Sequence, residues 1–110
     1  MQLFHGAHTQ FTLHLGQCFC REEEVARVYA TSRGTVTEIN LDLSDLTVVG
    51  VEGYDRDADY SIGDNGSEIV NADVIEFIDE DARGTQHRTW RLMSPKALAA
   101  VVVVDATDDE

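Results

Sequence analysis

One stretch of this chain has a clear helical period, and it limits the fold to a sheet carrying a single main helix. Between Arg21 and Thr31, Val25, Val28 and Tyr29 recur at i, i+3 and i+4, which places them on one stripe. Glu22, Glu23 and Glu24 fill the first turn, where the positive end of the helix dipole favours carboxylates. Ala26 and Ala30 flank the stripe and permit close packing. Ser32-Arg33-Gly34 ends the helix, with the glycine suited to a left-handed cap.

The other apolar residues alternate or run in short blocks, as strands do. Gln2–His5 reads as a first strand, followed by a loop from Gly6 to Gly16 in which Phe11, Leu13 and Leu15 alternate. Gln17–Cys20 is a second short extended piece. Thr35–Leu43 alternates from Glu38 onward, and Val36 is out of phase with Ile39, Leu41 and Leu43, so a bulge or a two-sided start is expected. Leu46–Val51 reads as a short strand after a Ser44-Asp45 turn. Ala72–Ile78 and Thr85–Met93 form a hairpin through the charged connection Asp79–Gly84. Ser94-Pro95 interrupts the ladder, because proline has no N–H to donate. Leu98–Val104 is apolar throughout, which predicts a central strand covered on both faces. The expected fold is therefore α+β: one small domain over residues 1–104, a mixed or antiparallel split sheet with one main helix, and an acidic tail at 105–110.

The net charge of −13 is unevenly placed. Residues 38–81 hold fourteen acidic residues and one basic one, Arg56, while the remainder is balanced. Such a field repels nucleic acid and attracts basic protein surfaces, so a basic protein partner is expected and direct nucleic-acid binding is not. A solvated, solubilising face explains the same charge. No apolar run approaches the ~20 residues that span a bilayer, and no basic segment followed by an apolar one opens the chain, so a cytoplasmic protein with no membrane partner is expected. Cys18 and Cys20 stand two apart, on one face of a strand, and read as reduced thiols. With His5, His8 or His14 they lack the spacing of a zinc site. Asp55, Asp57 and Asp59 offer oxygens at alternate positions like a calcium loop, but neither possible frame puts both the glycine and the glutamate where such a loop needs them.

Near the start, Leu3-Phe4-His5-Gly6 ends a strand on a histidine and a glycine. The imidazole donates and accepts hydrogen bonds near neutral pH, and glycine lets a ligand approach the backbone. Alone, this is equally a strand running into a turn. It is followed in order by Gly16-Gln17-Cys18-Phe19, by Glu24-Val25-Ala26-Arg27-Val28-Tyr29-Ala30, and by a strand ending Asn40-Leu41-Asp42-Leu43. Together these pieces resemble the minimal core of ADP-ribosyltransferase-fold proteins of the His-Tyr-acid type. The segment Val74–Glu80, with Gly84-Thr85 and Thr89-Trp90, is similar to the matching part of small phage ADP-ribosylating anti-CRISPR proteins.

That resemblance implies an NAD-dependent mono-ADP-ribosyltransferase acting on a protein, with NAD as substrate and a phage or mobile-element origin that would place it in a host cytoplasm. It implies that His5 bonds the nicotinamide ribose, that Gly6 brings backbone groups to the carboxamide, and that Tyr29 stacks on the nicotinamide ring. It also implies a carboxylate beside the positive ribosyl centre, as an oxocarbenium-like transition state requires. Many relatives keep this acid near the position of Thr89 or Trp90, and neither can serve. Asp79 is the substitute, with Glu76 and Asp81 in reserve. Tyr29 also fits a plain core position on the helix stripe, and His5 a structural one. The alternative function is a non-enzymatic acidic inhibitor, a nucleic-acid mimic whose residues 38–81 bind a basic nucleic-acid-binding defence protein such as a CRISPR effector.

Overall fold

The strand that carries His5 and Gly6 runs on through Ala7 rather than ending at His5, lies deep in the sheet, and is crossed directly by the main helix. In the computed structural model, which describes residues 1–8, 10–31, 34–51, 72–81 and 83–108 (105–108 by backbone alone), the chain forms β1 (Gln2–Ala7), β2 (Cys18–Cys20), α1 (Glu23–Ala30), β3 (Thr35–Leu41), β4 (Val48–Gly50), β5 (Val74–Glu80), β6 (Gln86–Leu92), α2 (Pro95–Ala99) and β7 (Val101–Asp108). The Asp55–Asp59 run of the calcium reading, and much of the acidic stretch 38–81, lie outside the described residues. One seven-stranded sheet has the order β4-β5-β6-β2-β1-β3-β7. Every neighbouring pair is antiparallel except β4 and β5, so the sheet is mixed and the domain is α+β.

β2 and β3 flank β1 and both run against it, so the connection between them must pass over β1. The helix α1 is that connection. Ala26, Ala30, Cys20 and Val36 form a buried cluster with Phe4 and Val25 on this face. Gly6 is the point of closest approach. A Cβ there would clash with the Ala26 carbonyl, so the missing side chain makes room for the helix backbone rather than leaving open space beside the imidazole. Gly34 is likewise pressed between the carbonyls of Ala30 and Ala7. The expected left-handed glycine cap is not formed there. The positive φ at the helix end belongs to Thr31, at 60°, whose N–H donates to the Arg27 carbonyl.

The opposite face holds the larger core. Leu3, Phe19, Ile39, Leu41, Val74, Trp90 and Leu92 are buried there under Ala97 of α2 and beside Phe11 and Leu13 of the first loop. The start of β3 is buried at Thr35, Val36 and Thr37 alike, and its register against β7 shifts between Glu38 and Ile39. The phase break at Val36 therefore marks a strand entering the sheet with both faces covered.

The final third departs from expectation. Ser94-Pro95 does more than interrupt a ladder: Ser94 Oγ accepts the Ala97 N–H at 3.1 Å, and Pro95 occupies the first turn of α2. Ser94 Oγ also donates to Asp73 Oδ1 at 2.7 Å, and Asp73 Oδ2 accepts the Thr47 N–H at 2.8 Å, which ties α2 to the starts of β4 and β5. The remaining apolar run forms β7, which is not a central strand. It lies at the sheet's edge, with Val102, Val103 and Val104 exposed by 64%, 50% and 56%. Pairing with β3 carries it on to Asp108, into the stretch read as a tail. Among the described residues, no helix is long and apolar enough to cross a membrane.

Candidate functional site

β1 and β2 share a single register pair, Phe4 with Cys20. Beyond it the strands part, and a cleft of about 380 Å³ opens over β6, β2 and β1, within the size range of small-molecule sites. Strand alternation selects what lines it. On β6, His87, Thr89 and Arg91 face the cleft while Trp90 and Leu92 enter the core behind. On β5, Asp79 follows Ile75 and Phe77 on the same face and sits opposite His87 in register.

His5 shares a strand face with Leu3, but its ring turns into the parting between β1 and β2. Nδ1 lies 2.9 Å from the Cys18 carbonyl. A carbonyl can only accept, so Nδ1 carries the proton and Nε2 keeps its lone pair. Phe11 and Phe19 stand against the imidazole with centroids 5.7 and 5.5 Å away. Burial holds the ring's pKa below the usual histidine value. The Cys18 bond works against that shift, and the nearby His14 adds to it. At pH 7 His5 is therefore a neutral acceptor in a partly apolar wall. Cys20, behind it, is no nucleophile: burial pushes the thiol up to about 11, and Sγ lies 3.4 Å from the Glu22 carbonyl.

Tyr29 reaches the cleft from α1. Its hydroxyl lies 2.8 Å from His87 Nε2 and 3.3 Å from the Glu80 carbonyl. Thr89 Oγ1 lies 3.1 Å from His87 Nδ1. With a neutral imidazole, one proton arrangement uses these three contacts: Thr89 donates to Nδ1, Nε2–H donates to the phenol oxygen, and the phenol donates to the Glu80 carbonyl. The chain fixes the Tyr29 ring edge-on to the imidazole, with centroids 5.7 Å apart. Arg91 adds a cation to the lining, held in place by its Nε–H bond to the Gly16 carbonyl at 3.0 Å.

The residues singled out in the sequence thus fall in one place. His5, Gly6, Tyr29 and Asp79 all line the cleft, although they come from β1, α1 and β5. Gly6 contributes backbone there, its side-chain position being filled by α1. Of the reserve acids, Glu76 pairs with the Arg88 guanidinium. Asp81 Oδ1 accepts the N–H groups of Arg83 and Thr85 and closes the β5–β6 turn. Neither lines the cleft. The sequence reading missed His87 and Arg91, and it saw Thr89 only as a position lacking an acid. Their signal was available: polar residues at 87, 89 and 91 alternate with Trp90 and Leu92, so a ligand-facing row backs a core-facing one. Among the described residues, no group of three His, Cys, Asp or Glu side chains could hold a metal ion.

The lining offers a lone-pair acceptor at His5, a carboxylate at Asp79, a guanidinium at Arg91 and a fixed aromatic ring at Tyr29. That set suits a polar ligand with hydroxyl and anionic groups and one flat ring. A scan against protein-family models finds no match to the chain, and searches of curated proteins and of solved structures return none.

Proposed function

We propose that the cleft binds NAD by its nicotinamide-ribose end, and that the protein transfers ADP-ribose from it to a basic protein. One observation carries this reading. A histidine, a tyrosine and a carboxylate, singled out by the resemblance to the ADP-ribosyltransferase core, line a single cleft of ligand size. His5 Nε2 accepts a ribose hydroxyl, the Tyr29 ring flanks the nicotinamide, and Asp79 lies on the side where positive charge develops as the C1′–nicotinamide bond breaks. The acceptor's nucleophile forms the new bond to C1′ and gives up its proton. The acidic stretch 38–81 favours a basic acceptor. The ADP-ribosyltransferase-like architecture and the phage-effector role belong to the same proposal.

The test is incubation with adenylate-labelled NAD and a cell lysate, following nicotinamide release and protein labelling. His5→Ala and Asp79→Ala are expected to lower both by about a hundredfold or more while circular dichroism shows the fold retained at the assay temperature. Glu76→Gln, outside the cleft, is expected to retain activity. Full activity in both cleft variants sinks the proposal. Binding of a basic protein without NAD consumption replaces it with the inhibitor reading.

A further inference from the structure

His5, Tyr29 and Asp79 carry the proposed reaction, and one buried titratable side chain of the same cleft is left without a role. His87 lies on β6 with 8% of its surface exposed, lining the cleft beside them. Both of its ring nitrogens are engaged. Nδ1 faces the Thr89 hydroxyl at 3.1 Å, Nε2 faces the Tyr29 hydroxyl at 2.8 Å, and that phenol donates on to the Glu80 carbonyl at 3.3 Å. Tyr29 comes from a helix packed on β1, whereas His87 belongs to β6 and Glu80 to β5. These bonds therefore reach from α1 to the β5–β6 hairpin, whose turn Asp81 closes one residue further on.

The contacts constrain Tyr29 in two independent ways. A phenol oxygen lies on the ring's own long axis, so bonds at Oη fix where the ring points but not its rotation about that axis. The imidazole supplies the second constraint. It meets the Tyr29 ring edge-on, with an interplanar angle of 78°, and opposes that rotation. His87 is itself held at both nitrogens, so its plane cannot turn without giving up a bond. We propose that His87, braced by Thr89, is a positioning residue that presents the Tyr29 ring to the flat ring of the ligand. The role rests on the nicotinamide reading of the cleft. A side chain ordered before binding spares the ligand the entropy of ordering it, a factor of roughly three to ten in affinity. The Tyr29 ring flanks nicotinamide before and during bond breaking, so lost positioning raises KM for NAD and spares kcat.

The test joins nitrogen NMR of the histidine-labelled full chain to NAD turnover by its variants. Without ligand, at a pH where the imidazole is neutral, His87 is expected to carry its proton on Nε2 and none on Nδ1. His87→Ala and Thr89→Val are expected to raise KM for NAD roughly three- to tenfold and to keep kcat within about twofold. Thr89→Ser, which restores the hydroxyl, is expected to restore KM. Tyr29→Phe keeps the ring and loses the bond, so adding His87→Ala to it is expected to raise KM less than His87→Ala does alone. Should His87→Ala fail to fold, Thr89→Val and Tyr29→Phe carry the same KM test. A proton on Nδ1, an unmoved KM in the variants, or a tenfold loss of kcat overturns the role. A wild type that neither binds nor consumes NAD fails the nicotinamide reading and this role with it, whereas turnover with unmoved KM fails this role alone.

Discussion

A second proton on His5 would have to enter a ring already committed at Nδ1 to a carbonyl and flanked by Phe11 and Phe19. Burial lowers its folded-state pKa below the unfolded value near 6.5. Between those two values the unfolded chain binds more protons than the folded one, so stability falls as pH drops through that window and levels off below it. Denaturant unfolding between pH 7.5 and 5 is expected to show a smaller loss for His5→Gln than for the wild type. An identical pH dependence in the two proteins would remove His5 as the cause. The same placement explains why the histidine was legible and its chemistry was not. Its place on the first strand can be read from the sequence, although the strand runs on to Ala7, whereas the choice of Nε2 as the accepting atom depends on a carbonyl thirteen residues away. Asp79 is a similar case. Three acids stand close together in sequence, and only the folded strand separates them: Glu76 lies on the other face of β5 with Arg88, Asp81 closes the β5–β6 turn, and Asp79 lines the cleft.

At the scale of elements, helix α1 was legible from its acidic first turn and its small residues, but its buried face was misassigned: Ala26 and Ala30 are buried against β1, while Val25, Val28 and Tyr29, the stripe expected to face the core, are only partly covered. The glycine under it was read for the wrong reason. Gly6 suggested space for a ligand, but the space is taken by Ala26, whose carbonyl lies where a side chain would begin. Gly6→Ala is therefore expected to displace α1 from β1 and to destabilise the fold by about 3 kcal/mol, at the upper end of overpacking costs. A denaturation midpoint within error of the wild type would contradict this packing. The last apolar run was misread because a continuous stretch of valine and alanine does not distinguish a strand covered on both faces from an edge strand that packs on the core at Val101 and is exposed from Val102 to Val104. Ser94-Pro95 was the better clue, since a capping serine before proline starts a helix, and α2 takes the first residues of the run. The row His87, Thr89 and Arg91 was missed for a related reason. Period-two polarity in a strand ordinarily marks a solvent face, but here the Tyr29 side chain from α1 meets His87 and the Gly16 carbonyl ahead of β2 meets Arg91, and the row becomes part of a cleft.

Across the whole molecule, β5 and β6 share seven register pairs and β1 and β3 share six, while β1 and β2 share one. The β4-β5-β6 and β1-β3-β7 sets are therefore joined within the sheet only through three residues of β2, among the described residues. A ligand in the cleft touches both sets. Saturating NAD is expected to slow hydrogen exchange at the Cys18–Cys20 amides at least tenfold while leaving Val102–Val104 unchanged. Equal exchange in β2 with and without NAD would place its binding elsewhere. The single Phe4–Cys20 pair also shifts the work of cohesion from main chain to side chain: where the ladder between the two sets is thinnest, Leu3, Ile39 and Leu41 of one set meet Val74, Trp90 and Leu92 of the other around Phe19 in one continuous core.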